Sequence, residues 1–585
     1  MDQYDLSTIV NKSDFQQIVE FKQCPDVGRS LVAQRQLVPG EIILIEKPLL
    51  QYPLQPDCRS SVSPHFSKTL WKELNDLVRQ EENGGPSNNE EKEKEEEEEE
   101  VEEESDEEDE EESDEEDEEE EDQPSASSSF CPGVPAAMLA YLAIAPESQT
   151  QYDFFYYPED MTHETVKLVH RVAQMAVEKL DAFRQVDPKQ LSYFVLKIYG
   201  NAHTIAYEST RTQTHKCRKE RQRLSNRSQQ QSFCPSAASS PRPAVSRIAL
   251  LSWGSKFAHS CAPNMFLQYE PATNAMVYTV IRPVAAGELL TFSYLPEDDR
   301  SLGGLVCGTR VLRQQKLWQF KFFDCACSRC TDWDWGRGVA CDACAGPMYS
   351  GESNSWTCQQ CAHQTTDASV KFLQRESRVQ QVISAFAARI YGTEPVGADM
   401  IRMIEPYLED LLCPEDEDDE IEQIPIPPHH WTYNVIHSLL ATYHLKLFPQ
   451  SFGKGLASRL GMTSKGLGEA AIYINFLNNT IWAHGNHAAA FFAGWRLLAI
   501  VVDVVLEGTQ KKKFSSGTDS SDDEGEDQFD LVPMPEDWMK PIQSIIHVVE
   551  GWLPLITEVF KSRRSSAVDE ALERIHLLKE RVNNI

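Results

Sequence analysis

The stretch Phe257-Ala258-His259-Ser260-Cys261-Ala262-Pro263-Asn264 decides the fold, together with a Cys-x-Cys-x2-Cys cluster further along the chain. The cluster consists of Cys325, Cys327 and Cys330. A structural zinc ion takes four ligands in a tetrahedron, so three cysteines leave one position open. Cys261 can supply the fourth sulfur. That closure predicts a loop tied to a distant cluster, with a cleft beside Tyr294 at the end of a strand-like stretch.

A second group of four cysteines follows in two pairs. The pairs are Cys341-x2-Cys344 and Cys358-x2-Cys361, and 13 residues separate them. This is the ligand spacing of a small zinc ribbon. The segment between the pairs is too short to form a core, so we expect bound metal to supply its folding free energy. A structural role is favoured, and a binding role is the alternative.

Charge is distributed unevenly along the 585 residues, which have room for about two to four domains. The formal net charge is −37, and the run from Glu90 to Asp122 contributes −26 through 28 acidic residues and two lysines. Such a run repels itself and has almost no apolar side chains to bury, so we expect it to be disordered. A solvated spacer is the favoured interpretation. A docking tail for basic proteins such as histones is the alternative.

The basic stretch Arg211–Arg227 also has two interpretations. One is a nuclear-localisation signal or a nucleic-acid patch. The other, which we favour, is an intramolecular partner for the acidic run or a solvated loop, because no Phe, Tyr or Trp interleaves with the basic residues. Nucleic acid is therefore not an expected partner.

Cysteine usage indicates a reducing compartment, because eight of the fifteen cysteines have metal-ligand spacing. The first residues show neither the basic region nor the apolar stretch of a secretory signal. The most apolar stretch, Ala488–Leu506, is interrupted by Arg496 and Asp503, so it predicts a buried helix and no membrane span. The expected location is the nucleus, the cytoplasm or both.

Short strands joined by glycine turns occur in two parts of the chain. Strand-like segments at Val27–Ala33 and Ile42–Glu46 surround the turn Pro39-Gly40-Glu41. The same pattern returns between residues 277 and 294, around Ala286-Gly287-Glu288. These patterns predict small antiparallel sheets. Between them, helical spacing of apolar residues predicts helices over 161–183 and 191–206.

These features resemble the SET domain followed by a post-SET zinc cluster, the fold of protein-lysine methyltransferases. The chain looks most like the SMYD family, in its arthropod-type branch, which shares the phrase Lys321-Phe322-Phe323-Asp324-Cys325-Ala326-Cys327-Ser328-Arg329-Cys330. The MYND zinc finger of that family needs roughly eight Cys or His ligands. Between Leu49 and Phe130 the chain has only Cys58 and His65, so we expect the MYND finger to be absent.

The resemblance implies an α+β fold, in which a SET domain of small antiparallel sheets carries a helical insertion. The expected segments are 14–55, the N-terminal part of the SET domain; 56–130, a polar and acidic disordered insertion; 131–245, a helical insertion and basic loop; 246–300, the C-terminal part of the SET domain; 301–335, the post-SET zinc cluster; 336–363, the zinc ribbon; and 364–585, a helical C-terminal domain.

The resemblance also implies an S-adenosylmethionine-dependent enzyme, a monomer that methylates lysine side chains of proteins, with histones among the candidate substrates. Tyr294 matches the tyrosine that orients the amine and the methyl group. The residues that match the cofactor pocket are Arg29, Ser255, Lys256, Ala258, His259 and Phe323. Two zinc ions are expected, one at each group of four cysteines.

Three residues depart from the family pattern. The family usually has glycine where Ser30 stands, asparagine where Ala258 stands and a channel tyrosine where Lys321 stands. A side chain at Ser30 would crowd the cofactor, and Ala258 cannot make the hydrogen bonds of an amide. The alternative to an active enzyme is therefore an inactive SET-fold scaffold that binds zinc or a partner protein.

Overall fold

A computed structural model provides the structure of the chain. It describes residues 6–24, 28–54, 67–82, 133–207, 245–295, 306, 308–351, 355–366, 370–390, 396–412, 424–449, 456–512, 529–531, 533–560 and 566–583. The acidic run and the basic stretch lie outside these residues, and so do the expectations made for them.

Short strands and longer helices follow one another along the described residues. The strands are β1 Val19–Cys24, β2 Gly28–Ala33, β3 Ile42–Glu46, β4 Leu50–Pro53, β5 His203–Tyr207, β6 Val245–Leu250, β7 Ala258–His259, β8 Met265–Glu270, β9 Ala275–Val280, β10 Thr291–Phe292, β11 Val339–Ala340, β12 Pro347–Ser350, β13 Ser355–Cys358, β14 Gln364–Thr366, β15 Gln510–Lys512 and β16 Phe529–Leu531. The α-helices are α1 Lys12–Ile18, α2 Lys68–Glu82, α3 Gly133–Ala143, α4 Glu164–Lys179, α5 Pro188–Asn201, α6 Arg310–Lys321, α7 Ser328–Thr331, α8 Phe372–Ile390, α9 Ala398–Leu412, α10 Trp431–Thr442, α11 Leu456–Phe476, α12 His487–Gly508, α13 Glu536–Val559 and α14 Ser566–Asn583.

The chain divides into two compact units. The first unit takes its described residues from 1–48, 252–319 and 323–585, and the second from 49–251 and 320–322. In the first unit β1 pairs with β2, β9 lies between β3 and β8, and β11 to β14 form a four-stranded sheet. All of these pairs are antiparallel. The small antiparallel sheets predicted from the sequence are confirmed.

Two matching turns connect the strands of the first unit. They are Val38-Pro39-Gly40-Glu41 and Ala285-Ala286-Gly287-Glu288. In each turn the glycine has a positive φ, +89° at Gly40 and +81° at Gly287, which side chains with a Cβ rarely adopt. In each, the glutamate carboxylate accepts a hydrogen bond of 2.9 Å from the first residue's N–H. The glycine and the glutamate therefore fix both turns, as their pattern predicts.

The second unit has a sheet in the order β4-β6-β5 and the helices α2 to α5. Its core joins buried residues of the sheet to buried residues of all four helices. Tyr52 and Leu250 come from the sheet, and Leu74, Val169 and Leu191 come from three of the helices. The helices α3 to α5 of this unit lie within the range 131–245, for which a helical insertion was predicted.

Two sequence-based predictions for the second unit are wrong. Disorder was expected over 56–130, but residues 68–82 form α2, because Leu74 and its neighbours supply a buried face that the surrounding charges obscure. A helix was expected through 206, but α5 ends at Asn201, whose amide bonds to the carbonyl of Lys197. The following residues, His203–Tyr207, pair with β6 as a strand.

The C-terminal part of the first unit is helical, as predicted, from α8 to α14, with the small strand pair β15–β16. Two π-helical segments, Tyr443–Leu447 and Leu477–Trp482, extend α10 and α11. The apolar helix α12 is long and apolar enough to cross a membrane by length and composition. Half of its most apolar window is nevertheless buried, and residues such as Leu498 and Val502 lie in the helical core.

A buried ion-pair cluster joins the four-stranded ribbon to this helical region. Glu376 on α8 accepts hydrogen bonds from Arg337 Nε at 2.9 Å and lies 3.0 Å from His430 Nε2. The other ring nitrogen of His430 accepts from the N–H of Thr432 at the start of α10. Burial raises the pKa of Glu376, but the hydrogen bonds from His430 and Arg337 outweigh it and lower the pKa to about 2. The ionised carboxylate thus stabilises the folded state.

We expect the substitution Glu376→Gln to remove a pH-dependent part of the stability. Because the folded-state pKa lies below the ordinary value of 4.5, the contribution is complete above that value and is lost as the pH falls towards 2. Its size is on the order of 3 kcal/mol. Denaturant titrations between about pH 6 and pH 3 would compare the two proteins. A free-energy difference that does not shrink with falling pH would contradict this prediction.

Candidate active site and zinc clusters

A parallel strand pair brings two distant segments together at the candidate site. Strand β7 pairs with β10, with His259 opposite Phe292. The buried side chain of Asn264 fastens the same two segments: its Nδ2 donates to the carbonyl of Leu289 at 2.8 Å, and its Oδ1 accepts from the N–H of Thr291 at 2.8 Å. The motif that decides the fold therefore lies beside the strand that leads to the predicted catalytic tyrosine.

Tyr294 and His259 are joined by their hydrogen bonds. The backbone N–H of Tyr294 donates to His259 Nδ1 at 2.9 Å. Since Nδ1 accepts, a neutral ring carries its proton on Nε2, and this atom lies 3.3 Å from the sulfur of Cys261. The hydroxyl of Tyr294 donates to the carbonyl of Phe257 at 2.6 Å. The tyrosine is thereby oriented from both ends.

Aromatic rings surround Tyr294. The ring centroids of His259 and Phe292 lie 5.2 and 5.0 Å from it, and Phe323 lies edge-on at 6.1 Å. Burial raises the pKa of Tyr294, so its hydroxyl stays neutral at physiological pH. The structure therefore brings together three residues that the sequence analysis proposed for the site: Tyr294, His259 and Phe323.

A buried carboxylate holds the loop that precedes this cluster. Glu46, at the end of β3, is fully buried and accepts hydrogen bonds from the N–H groups of Trp253 and Gly254 at 3.1 and 2.8 Å. The hydroxyl of Thr8 adds a third bond at 2.9 Å. Burial raises the pKa of Glu46, although the backbone N–H groups oppose the shift. The sequence analysis missed this residue; its signal is an acidic residue that ends an apolar strand.

The loop held by Glu46 carries two of the predicted cofactor residues. Ser255 and Lys256 lie in a short 3₁₀ helix, Gly254–Lys256, in which the hydroxyl of Ser255 donates to the carbonyl of Ser252 at 3.3 Å. Burial and the nearby charge of Arg29 lower the pKa of Lys256 to about 8, and Glu46 opposes this shift. The structure therefore places Arg29, Lys256 and Glu46 close enough to interact electrostatically.

The three residues that depart from the family pattern have defined places. Ser30 is buried within β2, and Ala258 is buried in β7, where its N–H donates to the carbonyl of Leu290 at 3.3 Å. Lys321 belongs to the second unit. Its ammonium donates to the carbonyls of Tyr199 and Ala202 at 2.7 and 3.2 Å, at the C-terminal end of α5, where a cation is favourable.

The first four cysteines meet, as the sequence predicts. The sulfurs of Cys261, Cys325, Cys327 and Cys330 all lie within 4.8 Å of one another. The N–H of Cys261 also donates to the sulfur of Cys327 at 3.3 Å. Hydrogen bonds with the other three thiols raise the pKa of Cys261 and lower that of Cys327. The four groups therefore compete for charge, and a divalent cation allows all of them to ionise.

Two arginines lie against this cluster, Arg313 fully buried and Arg329 half-buried. The Nη2 atom of Arg313 lies 3.7 Å from the sulfur of Cys330. Burial lowers its pKa, but the charges of Cys261, Asp334 and Cys330 outweigh this effect and raise it. Burial lowers the pKa of Arg329 to about 10. Four thiolates around Zn²⁺ carry a net charge of about −2, which is what the two guanidinium groups require.

The second four cysteines also meet. Sulfur distances of 3.7 Å between Cys341 and Cys361 and of 3.5 Å between Cys344 and Cys358 place all four within 4.8 Å of one another. Both groups thus have the donor type, number and spacing of a structural zinc site. Cys344 and Cys361 are exposed, whereas in the first group Cys327 is half-buried and the other three are buried.

Each cysteine pair of the ribbon ends in the same backbone turn. Ala345 and Ala362, which directly follow the second cysteine of each pair, have φ values of +59° and +57°. Their N–H groups donate to the carbonyls of Cys341 and Cys358, the first cysteines, at 2.7 and 3.1 Å. The N–H of Cys361 adds a bond to the sulfur of Cys358 at 3.5 Å. Two equivalent turns thus aim four sulfurs at one point.

Residues 28–295 match the family model of the SET domain. The chain contains a SET domain. The match begins at β2 and ends directly after Tyr294, so it includes the parallel pair of β7 and β10. The expected fold class, a SET domain with small antiparallel sheets, two cysteine clusters and a helical C-terminal region, is confirmed. A search of curated proteins gives no match to the chain.

The SET domain supplies only one of the eight clustered cysteines. Cys261 lies inside the matched residues, whereas the other seven lie beyond residue 295. Arg313 and Arg329 also lie outside, and the sequence analysis missed both. Their signal is modest: Arg329 stands between two cysteines of the cluster, but its spacing does not distinguish it from a surface arginine.

We expect two zinc ions per chain, measured by elemental analysis of the purified protein. The substitution Cys261→Ser should remove one ion, because a structural site needs four soft ligands. Cys344→Ser, its matched control, should remove the other. A value of two ions for the Cys261→Ser protein would show that this sulfur is not a ligand.

The two ions should also leave at different rates. A chelator that changes absorbance on binding zinc should report a fast phase from the ribbon and a slow phase from the buried cluster, because only the ribbon sulfurs Cys344 and Cys361 are exposed. The fast phase should be missing from the Cys344→Ser protein and the slow phase from the Cys261→Ser protein.

Proposed function

We propose that this chain is an S-adenosylmethionine-dependent protein-lysine N-methyltransferase. The observation that carries the proposal is the position of Tyr294, oriented by His259 and Phe257 beside aromatic rings within a SET domain. The substrate is a protein, since SET-domain methyltransferases act on protein lysines, and histones are the first candidates to test. We also propose that the chain belongs to the SMYD-like branch of these enzymes.

The bound cofactor supplies an electrophilic methyl group on a sulfonium. A free lysine has a pKa near 10.4 and is mostly protonated at neutral pH, so the site must favour the neutral amine. Apolar surroundings do this by disfavouring the ammonium, and Phe292 and Phe323 flank Tyr294 for this purpose. The hydroxyl proton of Tyr294 is directed to the carbonyl of Phe257. Its oxygen therefore presents lone pairs that can accept an N–H of the amine and hold it in line.

Arg29 and Lys256 are the cationic groups proposed to bind the carboxylate of the cofactor, and His259 and Phe323 are proposed to contact its adenosine. Glu46 contributes indirectly by fixing the backbone of Trp253 and Gly254. Zinc at Cys261 fixes the other end of the same loop. The loop that would contact the cofactor is therefore restrained on both sides.

An inactive zinc-binding scaffold is the second candidate. Ala258 favours it, because this residue offers no side-chain amide to the cofactor and its N–H is already bonded to Leu290. Ser30 favours it as well, since its side chain occupies a buried position. Titration calorimetry with S-adenosylmethionine distinguishes the candidates, because a scaffold of this kind binds no cofactor.

The substitution Tyr294→Phe should abolish most methyl transfer while cofactor binding persists. The ring still packs against Phe323, and only the hydroxyl that orients the amine is lost, so a reduction of about 100-fold or more in kcat is expected. His259→Ala should instead weaken cofactor binding. Transfer of tritiated methyl groups to histones and to a cell lysate measures both effects. Tyr269→Phe is the control, because its hydroxyl bonds to Asn274 on a surface hairpin.

Equal activity of the Tyr294→Phe protein and the wild type would place the active site elsewhere. Wild-type protein that binds no S-adenosylmethionine would overturn the enzyme proposal and favour the scaffold.

Cofactor affinity should fall as the pH rises through about 8. Below this value Lys256 is protonated and can pair with the cofactor carboxylate; above it the charge is lost. Calorimetry with S-adenosylhomocysteine, which has the same carboxylate, should show weaker binding at about pH 9 than at about pH 7. The dependence should disappear in Lys256→Met and persist in Lys47→Met, an exposed lysine of the same unit. A flat profile for the wild type would remove Lys256 from the site.

A further inference from the structure

Asn486 lies in the helical C-terminal region, at the N-terminal end of α12 and outside the SET domain. It is 2% exposed, so its amide must find partners within the protein. With its nitrogen towards Cys261, Nδ2 donates to the carbonyl of Cys261 at 2.6 Å and Oδ1 accepts from Arg329 Nη1 at 3.2 Å. The opposite orientation would place two acceptors against each other, so hydrogen-bond chemistry assigns this one.

We propose that Asn486 is a positioning residue for the SET-domain site, acting through the backbone of Cys261. This inference rests on the proposed function for its effect on cofactor binding. Its effect on the zinc cluster stands without that function.

The contacts form a short path from Asn486 to the tyrosine. Cys261 supplies one sulfur of the cluster, and its sulfur faces His259 Nε2 at 3.3 Å. His259 in turn accepts the N–H of Tyr294. A shift of the Cys261 carbonyl therefore moves a zinc ligand and the histidine that orients the backbone of Tyr294.

Arg329 gives Asn486 a second role. Arg329 is half-buried beside the cluster, and its Nη1 donates to the carbonyl of Cys261 at 3.4 Å. The oxygen of Asn486 accepts from the same nitrogen. A half-buried cation that loses an acceptor is costly, so Asn486 helps to keep the guanidinium against the cysteine loop.

The turn that carries Asn486 has an unusual backbone and makes a second contact. It follows the π-helical segment Leu477–Trp482, and such segments are frequent at functional sites. Gly485, with φ of +86°, reverses the chain just before Asn486. One residue earlier, His484 stacks on Trp335 at 4.4 Å with the rings 8° from parallel. Two side chains of this turn therefore contact the first cysteine cluster and its surroundings: Asn486 contacts Cys261 and Arg329, and His484 contacts Trp335.

The test compares full-length proteins that carry Asn486→Leu, Asn486→Asp or Asn478→Leu. Leucine keeps the volume and makes no hydrogen bond. Aspartate can still accept from Arg329 but cannot donate to Cys261. Asn478 is the matched control, because it lies in the π-helical segment that precedes Asn486 and its oxygen accepts from Trp552 Nε1 at 3.0 Å, away from the cluster.

Two readouts are measured on each protein: the slow phase of zinc release to a chelator and the affinity for S-adenosylhomocysteine by calorimetry. Both Asn486 variants should release the buried zinc about tenfold faster and bind S-adenosylhomocysteine about tenfold more weakly. Asn478→Leu should change neither the zinc-release rate nor the S-adenosylhomocysteine affinity by more than about twofold. This holds even if its melting temperature falls as much as that of the Asn486 variants.

Equal zinc-release rates for Asn486→Leu, Asn478→Leu and the wild type would overturn the inference. So would faster release in both leucine variants, since this would indicate loss of packing alone. If the wild type binds no S-adenosylhomocysteine, the proposed function fails, and the zinc-release rates still decide whether Asn486 holds the Cys261 loop.

Discussion

The sulfur of Cys261 must reach three cysteines from another part of the chain, and this requirement constrains everything around the site. It fixes the loop that runs from Phe257 to Asn264. The same loop provides His259, which accepts from the backbone of Tyr294. Charge balance requires cations beside the thiolates, and Arg313 and Arg329 satisfy it. The group of four cysteines therefore links the pairing of β7 with β10, the electrostatics of the site and the orientation of the tyrosine.

Much of this arrangement can be read from the sequence because its signals are local. Cysteine spacing predicts both clusters, and each meets at one point. Glycine and glutamate at fixed positions predict the two turns, and Gly40 and Gly287 have the positive φ that these turns need. Such patterns depend on a few neighbouring residues, so single-sequence reasoning can find them.

The residues that were missed act over long distances. Glu46 accepts hydrogen bonds from N–H groups that lie about two hundred positions further along the chain. Asn486 lies outside the residues that match the SET domain. Nothing in the neighbouring sequence of either residue marks it as a partner of the loop. The helix Lys68–Glu82 was missed for another reason: its charged residues outweigh a narrow buried face in any measure of composition.

The long segment of the second unit, 49–251, begins and ends on neighbouring strands. Strands β4 and β6 pair directly, with Leu50 opposite Leu250, and the N–H of Leu49 donates to the carbonyl of Leu250 at 2.8 Å. An inserted segment whose two ends are neighbours adds little strain to the domain that carries it. The free energy needed to close such a segment grows only with the logarithm of its length. Changes in the length of the segment between β4 and β6 therefore need not disturb the SET-domain residues on either side of it.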